Sequence, residues 1–176
     1  RRDIALRLVG DQEQIEQELS RTMVDGLEVD IVHADDVAKM DDKPSHIMRR
    51  KKDTSIQVAY NLVRENDADG VVSAGHTGAT LACGMFALGR IKGIERPGLA
   101  TVLPRENKPL LIIDVGANVD SKPRHLVQFA IMAEALAVNV LKTPEPQVGI
   151  LSIGEEQGKG NVLVNEAYGL LARTSM

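Results

Sequence analysis

The sequence predicts an α/β fold of the three-layer Rossmann-like kind, with a mostly parallel sheet and a mixed portion. Strand-like and helix-like segments alternate along the 176 residues, which is the pattern of βαβ units. Two apolar runs in the middle of the chain follow each other with no helix between them, so part of the sheet is expected to be mixed. Neither a low-complexity tract nor an internal repeat interrupts the alternation.

Composition limits the class of protein. A chain with 43% hydrophobic residues can bury one substantial core, so residues 1–176 are expected to form a single domain. The net charge of -4 and the aromatic content of 2% argue against a nucleic-acid groove. Without a signal peptide or an apolar run of bilayer length, a cytoplasmic protein is expected. The chain does not begin with Met, and we expect it to be part of a longer chain.

The first half predicts one βαβ unit. We expect a strand over "IALRLVG" (residues 4–10), a helix over "DQEQIEQELSRT" with Asp11 as its N-cap, and a second strand over "LEVDIVHA". Residues 35–52 are polar and predict a long loop, a feature that is often functional. A helix is then predicted over "DTSIQVAYNLVREN", because its apolar residues recur at helical spacing: Ile56, Ala59, Tyr60 and Val63.

The second half continues the alternation. We expect a strand over "GVVSAG" with a helix after it, then two strands over "GLATVLP" and "PLLIIDVGAN". A long helix is predicted over "PRHLVQFAIMAEALAVNVLK", with Pro123 in its first turn. Its apolar residues cover most of its circumference, so we expect it to be buried, in part against a second subunit. A last strand is expected over "QVGILSIGEE" and a last helix over "NVLVNEAYGLLAR".

Three glycine-containing loops each follow a predicted strand and precede a predicted helix. They are the His76 loop (residues 73–80), the Asp114 loop (residues 114–123) and the Lys159 loop (residues 152–161). In a doubly wound sheet the carboxyl ends of the strands face one crevice, where ligands bind. The sequence therefore predicts that the three loops line one site.

The His76 loop has the parts of an anion site. Gly75 and Gly78 let the backbone bend around a ligand, and the following helix offers unpaired N–H groups. Ser73, Thr77 and Thr80 add hydroxyl groups, and His76 is a candidate phosphate donor or acid–base group. The alternative is a tight strand-to-helix turn with no ligand. The loop lacks the lysine and the spacing of a P-loop, and no dinucleotide fingerprint is present.

The other two loops carry polar clusters. Asp114 ends a predicted strand, and Asn118, Asp120 and Lys122 follow it; such residues can orient a nucleophile or stabilise charge, or they can cap helices and turns. The Lys159 loop offers a cation that could meet a phosphate or thioester oxygen, with a solvated charged loop as the alternative. Its polar residues are Glu155, Glu156, Lys159 and Asn161.

A basic run lies just ahead of the second predicted helix, "DTSIQVAYNLVREN". It is either a solvated surface or a docking patch for an acidic partner, and it consists of Arg49, Arg50, Lys51 and Lys52. Metal chemistry is not supported, because the four histidines show no close ligand spacing. The single cysteine, Cys83, cannot form an internal disulfide, and its small neighbours favour a core role over nucleophilic catalysis.

Six segments together resemble one protein family. They are "MDDKPS", "RRKKDTSIQVA", "DGVVSAGHTGAT", "GRIKGIERPGLATVLP", "IDVGANVDSKPRHLVQFAIMAEA" and "VGILSIGEEQGKGN". They look like the PlsX family, the bacterial acyl-acyl carrier protein:phosphate acyltransferases of phospholipid synthesis. The resemblance implies that inorganic phosphate attacks a fatty acyl thioester on acyl carrier protein, giving an acyl phosphate. It also implies the fold of phosphate acetyltransferases and isocitrate or isopropylmalate dehydrogenases, a homodimer, peripheral membrane association and no cofactor.

The resemblance suggests roles for the loop residues. Backbone amides from Gly75 to Gly78 would hold phosphate, Lys159 and Asn118 would face the oxyanion or phosphate oxygens, and Asp120 would orient them. The basic run at residues 49–52 would steer acyl carrier protein. The chain departs from the family at His76, where Asn is usual, and at Ser121, which is often Cys. The family's first strand, with an Asp-Ala-Met-Gly-Gly-Asp signature, and its C-terminal half are absent.

Two other functions stay open at this point. One is an enzyme of the phosphate acetyltransferase kind that uses acyl-CoA. The other is a module that binds phosphate or an acidic partner without catalysis. The lack of a dinucleotide fingerprint argues against a nicotinamide dehydrogenase.

Overall fold

The computed structural model describes residues 4–51, 53–106, 108–154, 156 and 159–174. They group into two compact units, Arg1–Gly89 and Arg90–Met176. Each unit is described by itself, and the single domain expected over residues 1–176 stays a prediction.

The first unit opens with the predicted βαβ arrangement. Strand β1 (Ala5–Gly10) pairs in parallel with β2 (Glu28–His33), and helix α1 (Gln12–Leu19) connects them. The N-cap prediction is confirmed, because the Asp11 carboxylate accepts a hydrogen bond from the backbone N–H of Gln14 at 2.9 Å. The parallel register follows from the helical crossover between the strands.

The long loop predicted over residues 35–52 is wrong in its second half, which forms helix α2 (Pro44–Arg50). Pro44 occupies the first turn, where its missing N–H costs nothing. Ile47 is fully buried in a cluster with Ile56, Ala79 and Cys83. A single buried apolar side chain anchors this short helix, and the polar residues around it hide that signal in the sequence.

Two further helices complete the first unit. Helix α3 (Ser55–Arg64) confirms the predicted helix, and α4 (Thr77–Ala87) contacts both α2 and α3. The strand predicted over "GVVSAG" is wrong: residues 70–75 pair with no other strand in the described part of the chain, and Val72 is 101% exposed. An open groove of about 1350 Å³ lies here, lined by Leu6 and Leu8 of β1 and by Val71. Residues 70–75 form no strand because no second backbone among the described residues lies beside them to accept and donate the hydrogen bonds of a sheet.

The second unit contains an antiparallel pair and two helices. Strand β3 (Ala100–Leu103) pairs antiparallel with β4 (Leu110–Ile113), as expected for two strands with no helix between them. Helix α5 (Pro123–Asn139) contacts β4 and helix α6 (Val162–Leu171). The strand predicted over "QVGILSIGEE" is wrong within the described residues, where Leu151 is 81% and Ile153 96% exposed.

Helix α5 is buried on one face only. Phe129, Ala130 and Ala137 are buried, but Ile131 and Val138 on its other side are exposed. The expected burial is therefore confirmed for one face of the helix, and a second subunit covering the other face stays a prediction. The α/β class itself is confirmed, with a parallel pair in one unit and an antiparallel pair in the other. No helix among the described residues is both long and apolar enough to cross a membrane.

An internal ion pair predicts how the first unit responds to acid. The Asp42 carboxylate accepts hydrogen bonds from Lys39 N at 2.9 Å and from Lys51 Nζ at 3.0 Å. These bonds lower the pKa of Asp42 below its ordinary 3.8. A lowered folded-state pKa means that the contribution to stability is present above pH 3.8 and is lost as the pH falls through the folded-state pKa.

We therefore expect Asp42→Asn to lower the free energy of unfolding at neutral pH, with the difference from wild type shrinking below pH 3.8. Urea denaturation between pH 7 and 2 measures this. Asp41→Asn changes the neighbouring exposed carboxylate and serves as control. A constant Asp42→Asn effect down to pH 2 would contradict the prediction.

Candidate functional site

The His76 loop is fixed by the imidazole of His76 itself. His76 is the N-cap of α4, and its Nδ1 accepts a hydrogen bond from Ala79 N at 3.2 Å. Its Nε2 donates to the carbonyl oxygen of Asp42 at 2.8 Å. These bonds require the neutral tautomer with the proton on Nε2, and both ring nitrogens are engaged. The geometry gives His76 a structural role and leaves neither nitrogen free for proton transfer or for a phosphate.

The two glycines of the His76 loop differ. A Cβ on Gly78 would lie 2.8 Å from Pro44 Cγ and 3.0 Å from His76 Cε1, so α2 approaches the start of α4 too closely for a side chain. A Cβ on Gly75 would meet only the Ser73 hydroxyl, at 3.6 Å. Gly78 is thus required by packing, whereas Gly75 lies on the open side of the loop.

The remaining polar groups of this loop face outward. Ser73 Oγ accepts from Gly75 N at 3.3 Å, which forms a local turn. Thr77 is exposed, and no hydrogen bond among the described residues uses its hydroxyl or the N–H groups of Thr77 and Gly78. The first turn of α4 therefore keeps free donors at its positive end.

The Asp114 loop is organised by one carboxylate. Asp114 Oδ1 accepts from Leu99 N at 3.2 Å and from Ala117 N at 3.1 Å. Its Oδ2 accepts from the backbone N and side-chain Nδ2 of Asn118, at 2.9 and 3.1 Å. Asp114 therefore joins the turn that follows β4 to the residue preceding β3, and it fixes the path of the loop.

Asn118 has little donor capacity left. Its Nδ2 donates to Asp114 Oδ2 and to the carbonyl oxygen of Pro97 at 2.9 Å, so both amide hydrogens have acceptors. Asp120, two residues on, is exposed, and its backbone oxygen accepts from Arg96 Nη1 at 3.0 Å. The predicted oxyanion donor is thus a brace for the loop in this structure, whereas Asp120 lies at its open end.

A second network supports the start of α5. Glu95 Oε2 lies 2.9 Å from Arg124 Nη2 and 3.2 Å from Nε2 of the buried His125. His125 Nδ1 accepts from Lys122 N at 3.1 Å, and Gln128 joins the same segment by accepting from Glu95 N. Sequence reasoning missed Arg96 and Glu95, whose signal was a charged "ER" pair before a proline just ahead of β3.

The Lys159 loop lies in the second unit. Lys159 Nζ forms an ion pair with the carboxylate of Glu156, and its side chain is 60% exposed. Asn161 is the N-cap of α6, accepting from Val164 N at 2.9 Å. Glu155 lies outside the described residues. The loop therefore presents Lys159 to solvent beside one carboxylate.

The basic run is split. Arg49 is exposed at the end of α2. Lys51 Nζ lies 3.3 Å from Asp36 Oδ1 and 3.0 Å from Asp42 Oδ2, and only 16% of its side chain is exposed. The hydrogen bond to Asp42 raises the pKa of Lys51 above 10.5. Lys52 and the Arg50 side chain lie outside what the structure describes, so Arg49 is the described cation of the run that lacks an internal partner.

The predicted site residues fall into both units. The His76 loop belongs to the first, and the Asp114 and Lys159 loops belong to the second. Within the described part of the second unit, no hydrogen bond or ion pair joins Lys159 to Asn118 or Asp120. The single crevice lined by three loops stays a prediction.

Neither metal ligation nor thiol chemistry gains a site among the described residues. They contain no cluster of three or more His, Cys, Asp or Glu side chains that could hold a metal ion. Cys83 is buried with its Sγ 3.6 Å from Met48 Sδ, and burial raises the pKa of its thiol. A buried thiol that resists ionisation fits the expected core role.

We expect Gly75 to tolerate substitution by alanine and Gly78 not to tolerate it. Gly78→Ala is expected to lower the free energy of unfolding by about 1–3 kcal/mol, because the methyl group must displace Pro44. Gly75→Ala should change it by less than about 0.5 kcal/mol, as at other open surface positions. Thermal and urea denaturation of the two variants measures the difference. Equal effects would show that α2 does not press on the start of α4.

Asp114 and Asp120 provide a second matched pair. Asp114→Asn is expected to destabilise the protein by about 1–3 kcal/mol, because an amide group cannot accept from four N–H donors. Asp120→Asn, in the same loop but exposed, should stay within about 0.5 kcal/mol of wild type. Denaturation curves give both values, and a stable Asp114→Asn variant would contradict the bracing role.

Comparison with known proteins covers the chain nearly end to end. The model of one family, described as fatty acid synthesis protein, matches residues 1–176. A phosphate acyltransferase of Nitratidesulfovibrio vulgaris is 58% identical over 169 residues, which are 96% of this chain and 49% of that protein. Phosphate acyltransferases of Oleidesulfovibrio alaskensis and Lawsonia intracellularis are 61% and 57% identical, over 96% and 93% of this chain and 48% and 47% of theirs.

The chain thus spans about half the length of the curated relatives it matches. The aligned region takes in more than nine-tenths of this chain. By this evidence the chain belongs to the fatty acid synthesis protein family, the PlsX family that its motifs resemble.

Proposed function

We propose that this chain forms part of an acyl-acyl carrier protein:phosphate acyltransferase. The observation that carries the proposal is its identity of 57–61% with curated proteins named phosphate acyltransferase. In the proposed reaction an oxygen of inorganic phosphate attacks the carbonyl carbon of a fatty acyl thioester. The C–S bond breaks, the carrier leaves as a thiolate that takes up a proton, and an acyl phosphate forms.

The proposed reaction requires the protein to position the phosphate and to stabilise the negative charge that develops on the thioester oxygen. Phosphate is itself a nucleophile, so the protein must hold it beside the thioester and stabilise the tetrahedral oxyanion. The first turn of α4 suits phosphate, because its cap engages Ala79 N and leaves the N–H groups of Thr77 and Gly78 without acceptors in the described structure. His76 then acts as a positioning residue, which holds the loop while the backbone contacts the anion.

The second unit supplies the charged groups of the proposal. Lys159 is the proposed catalytic cation for the oxyanion, and it must exchange Glu156 for the substrate when it acts. Asp120 would orient the reacting groups from the open end of its loop. Asn118 is better suited to bracing the loop than to direct contact, because its amide hydrogens are already bound.

Partners and context are part of the same proposal. Acyl carrier protein would dock near residues 49–52, with Arg49 as the exposed contact, because Lys51 is compensated by Asp36 and Asp42. A homodimer, a cytoplasmic location, peripheral membrane association and a three-layer Rossmann-like sheet are proposed from the family resemblance alone. No cofactor or metal enters the proposed reaction.

The test uses a chimera in which this chain replaces the matching half of the Nitratidesulfovibrio vulgaris protein. Release of free thiol from palmitoyl-acyl carrier protein is followed with and without inorganic phosphate, and palmitoyl-CoA is tested in parallel. We expect phosphate-dependent release from the carrier. Preference for palmitoyl-CoA would favour the phosphate acetyltransferase-like alternative, and phosphate binding without release would favour a non-catalytic module.

Lys159→Ala in the chimera is expected to lower kcat by about a hundredfold, the usual effect of removing a group that stabilises an oxyanion. Glu156→Gln is the matched control, because it removes the ion-pair partner and leaves the cation. Its kcat should stay near wild type. Unchanged turnover in Lys159→Ala would remove this residue from the mechanism.

A further inference from the structure

Lys51 belongs to the basic run, but its ammonium group is engaged inside the first unit. Its Nζ donates to the carbonyl oxygen of Val37 at 2.8 Å, and it lies 3.3 Å from Asp36 Oδ1 and 3.0 Å from Asp42 Oδ2. An ammonium group has three N–H donors, so each donor has an acceptor here. Only 16% of the Lys51 side chain and 17% of the Asp42 side chain are exposed. Little of this charge is therefore available to a partner protein.

The bonds of Lys51 connect the two ends of α2. Lys51 follows the last residue of the helix, whereas Val37 and Asp42 precede its first residue. The carbonyl oxygen of Lys51 accepts from Gln57 Nε2 at 3.3 Å, which anchors the lysine backbone to α3. Removal of one partner from a largely buried ion pair leaves the other charge uncompensated. We therefore expect the segment before α2 to shift when the ammonium group is lost.

Asp42 connects this anchor to His76. Asp42 N donates to Lys39 O at 3.1 Å and Asp42 Oδ2 accepts from Lys39 N at 2.9 Å, so the two residues close a turn. The carbonyl oxygen of the same Asp42 accepts from His76 Nε2 at 2.8 Å. That acceptor favours the tautomer with the proton on Nε2, which leaves Nδ1 able to accept from Ala79 N. The position of the Asp42 carbonyl thus decides whether His76 caps α4.

We propose that Lys51 is a positioning residue for the first turn of α4, acting through Asp42 and His76. The inference rests on the proposed function, in which the N–H groups of Thr77 and Gly78 bind the attacking phosphate. While Lys51 holds Asp42, His76 stays in its capping tautomer and the first turn keeps the orientation that the anion needs. Loss of Lys51 releases Asp42, and the phosphate donors lose their alignment.

A docking role for Lys51 makes a different prediction. A cation that contacts acyl carrier protein affects the KM for the carrier, whereas a positioning residue of the α4 turn affects the KM for phosphate. Asp42→Ala separates the two roles further. It breaks the ion pair from the other side, but it keeps the lysine and the backbone carbonyl that His76 uses.

The 176-residue chain tests the inference without catalysis. Inorganic phosphate is titrated at about pH 8, where an ordinary histidine is neutral, and binding is followed by the amide resonances of Thr77 and Gly78. The ¹⁵N shifts of the two His76 ring nitrogens are well separated for one fixed tautomer and converge when the tautomers exchange. We expect Lys51→Met and Asp42→Ala to weaken phosphate binding about three- to thirtyfold and to bring the two shifts together.

Lys39→Met is the matched control. Lys39 lies in the same segment and is exposed, and its substitution keeps the backbone N–H that bonds Asp42. The His76 shifts should not change, and phosphate binding should stay within about twofold of wild type. If one of the two test variants does not fold, the other still breaks the same ion pair. Unchanged His76 shifts in a folded Lys51→Met or Asp42→Ala variant, or phosphate that leaves the start of α4 unperturbed in the wild-type chain, would overturn the inference.

Kinetics of the chimera separate the inference from the proposed function. We expect Lys51→Met to raise the KM for inorganic phosphate and to leave the KM for palmitoyl-acyl carrier protein near wild type. A raised KM for the carrier with an unchanged KM for phosphate would make Lys51 a docking cation, which overturns the inference and keeps the proposed function. Phosphate binding that depends on Lys51, in a chimera without turnover, would reject the proposed function and keep the inference.

Discussion

Backbone pairing is the constraint on which both units depend. An extended segment becomes part of a sheet only where a second backbone satisfies its N–H and C=O groups. In the first unit β2 does this for one edge of β1, while the opposite side of β1 borders the open groove lined also by Val71. In the second unit β3 and β4 satisfy each other through an antiparallel register. Helices α3 and α5 pack against β1 and β4, respectively.

Where strand pairing ends, side chains accept the hydrogen bonds of the backbone N–H groups. After β4, the Asp114 carboxylate accepts hydrogen bonds from three backbone N–H groups and one side-chain amide N–H. This single side chain therefore bonds the backbone groups of the turn, as a neighbouring strand does within a sheet. At the start of α4, His76 does the same for Ala79 N and ties the loop to the segment just before α2 through the Asp42 carbonyl. Both loops are therefore braced from within, and in the His76 loop the donors left free among the described residues include the Thr77 hydroxyl and the N–H groups of Thr77 and Gly78.

The sequence predicts the elements whose signal is local and misses those that depend on distant residues. Asp11, Pro123 and the apolar spacing of Ile56 and Tyr60 mark helix starts and faces that depend on neighbours a few residues away, and the structure contains them. The segment around Val72 has a strand composition, yet its state depends on a partner backbone that no local pattern specifies. Helix α2 is the reverse case, because its polar sequence favours a loop and its packing depends on contacts of Ile47 with Ile56, Ala79 and Cys83.

The same division holds for the candidate site. Composition singled out the loops correctly as polar turns rich in donors, because glycine, serine and asparagine act through their own backbone. It could not tell which side chains were already engaged: His76 and Asn118 have their polar hydrogens or lone pairs committed to the protein. Arg96 was missed because a lone arginine in a loop resembles any solvated cation until its partner is known.

The partner of each cation decides what that cation can do. Lys51 and Arg124 form ion pairs with carboxylates, so the electrostatic fields of these two cations are largely cancelled at short range. Lys51 thereby holds α2 in place, and Arg124 holds the start of α5 in place. Lys159 also faces a carboxylate, but on an exposed loop where water and salt weaken the pair, so little free energy holds the two side chains together. Arg96 faces a peptide carbonyl, which orients the guanidinium without cancelling its charge.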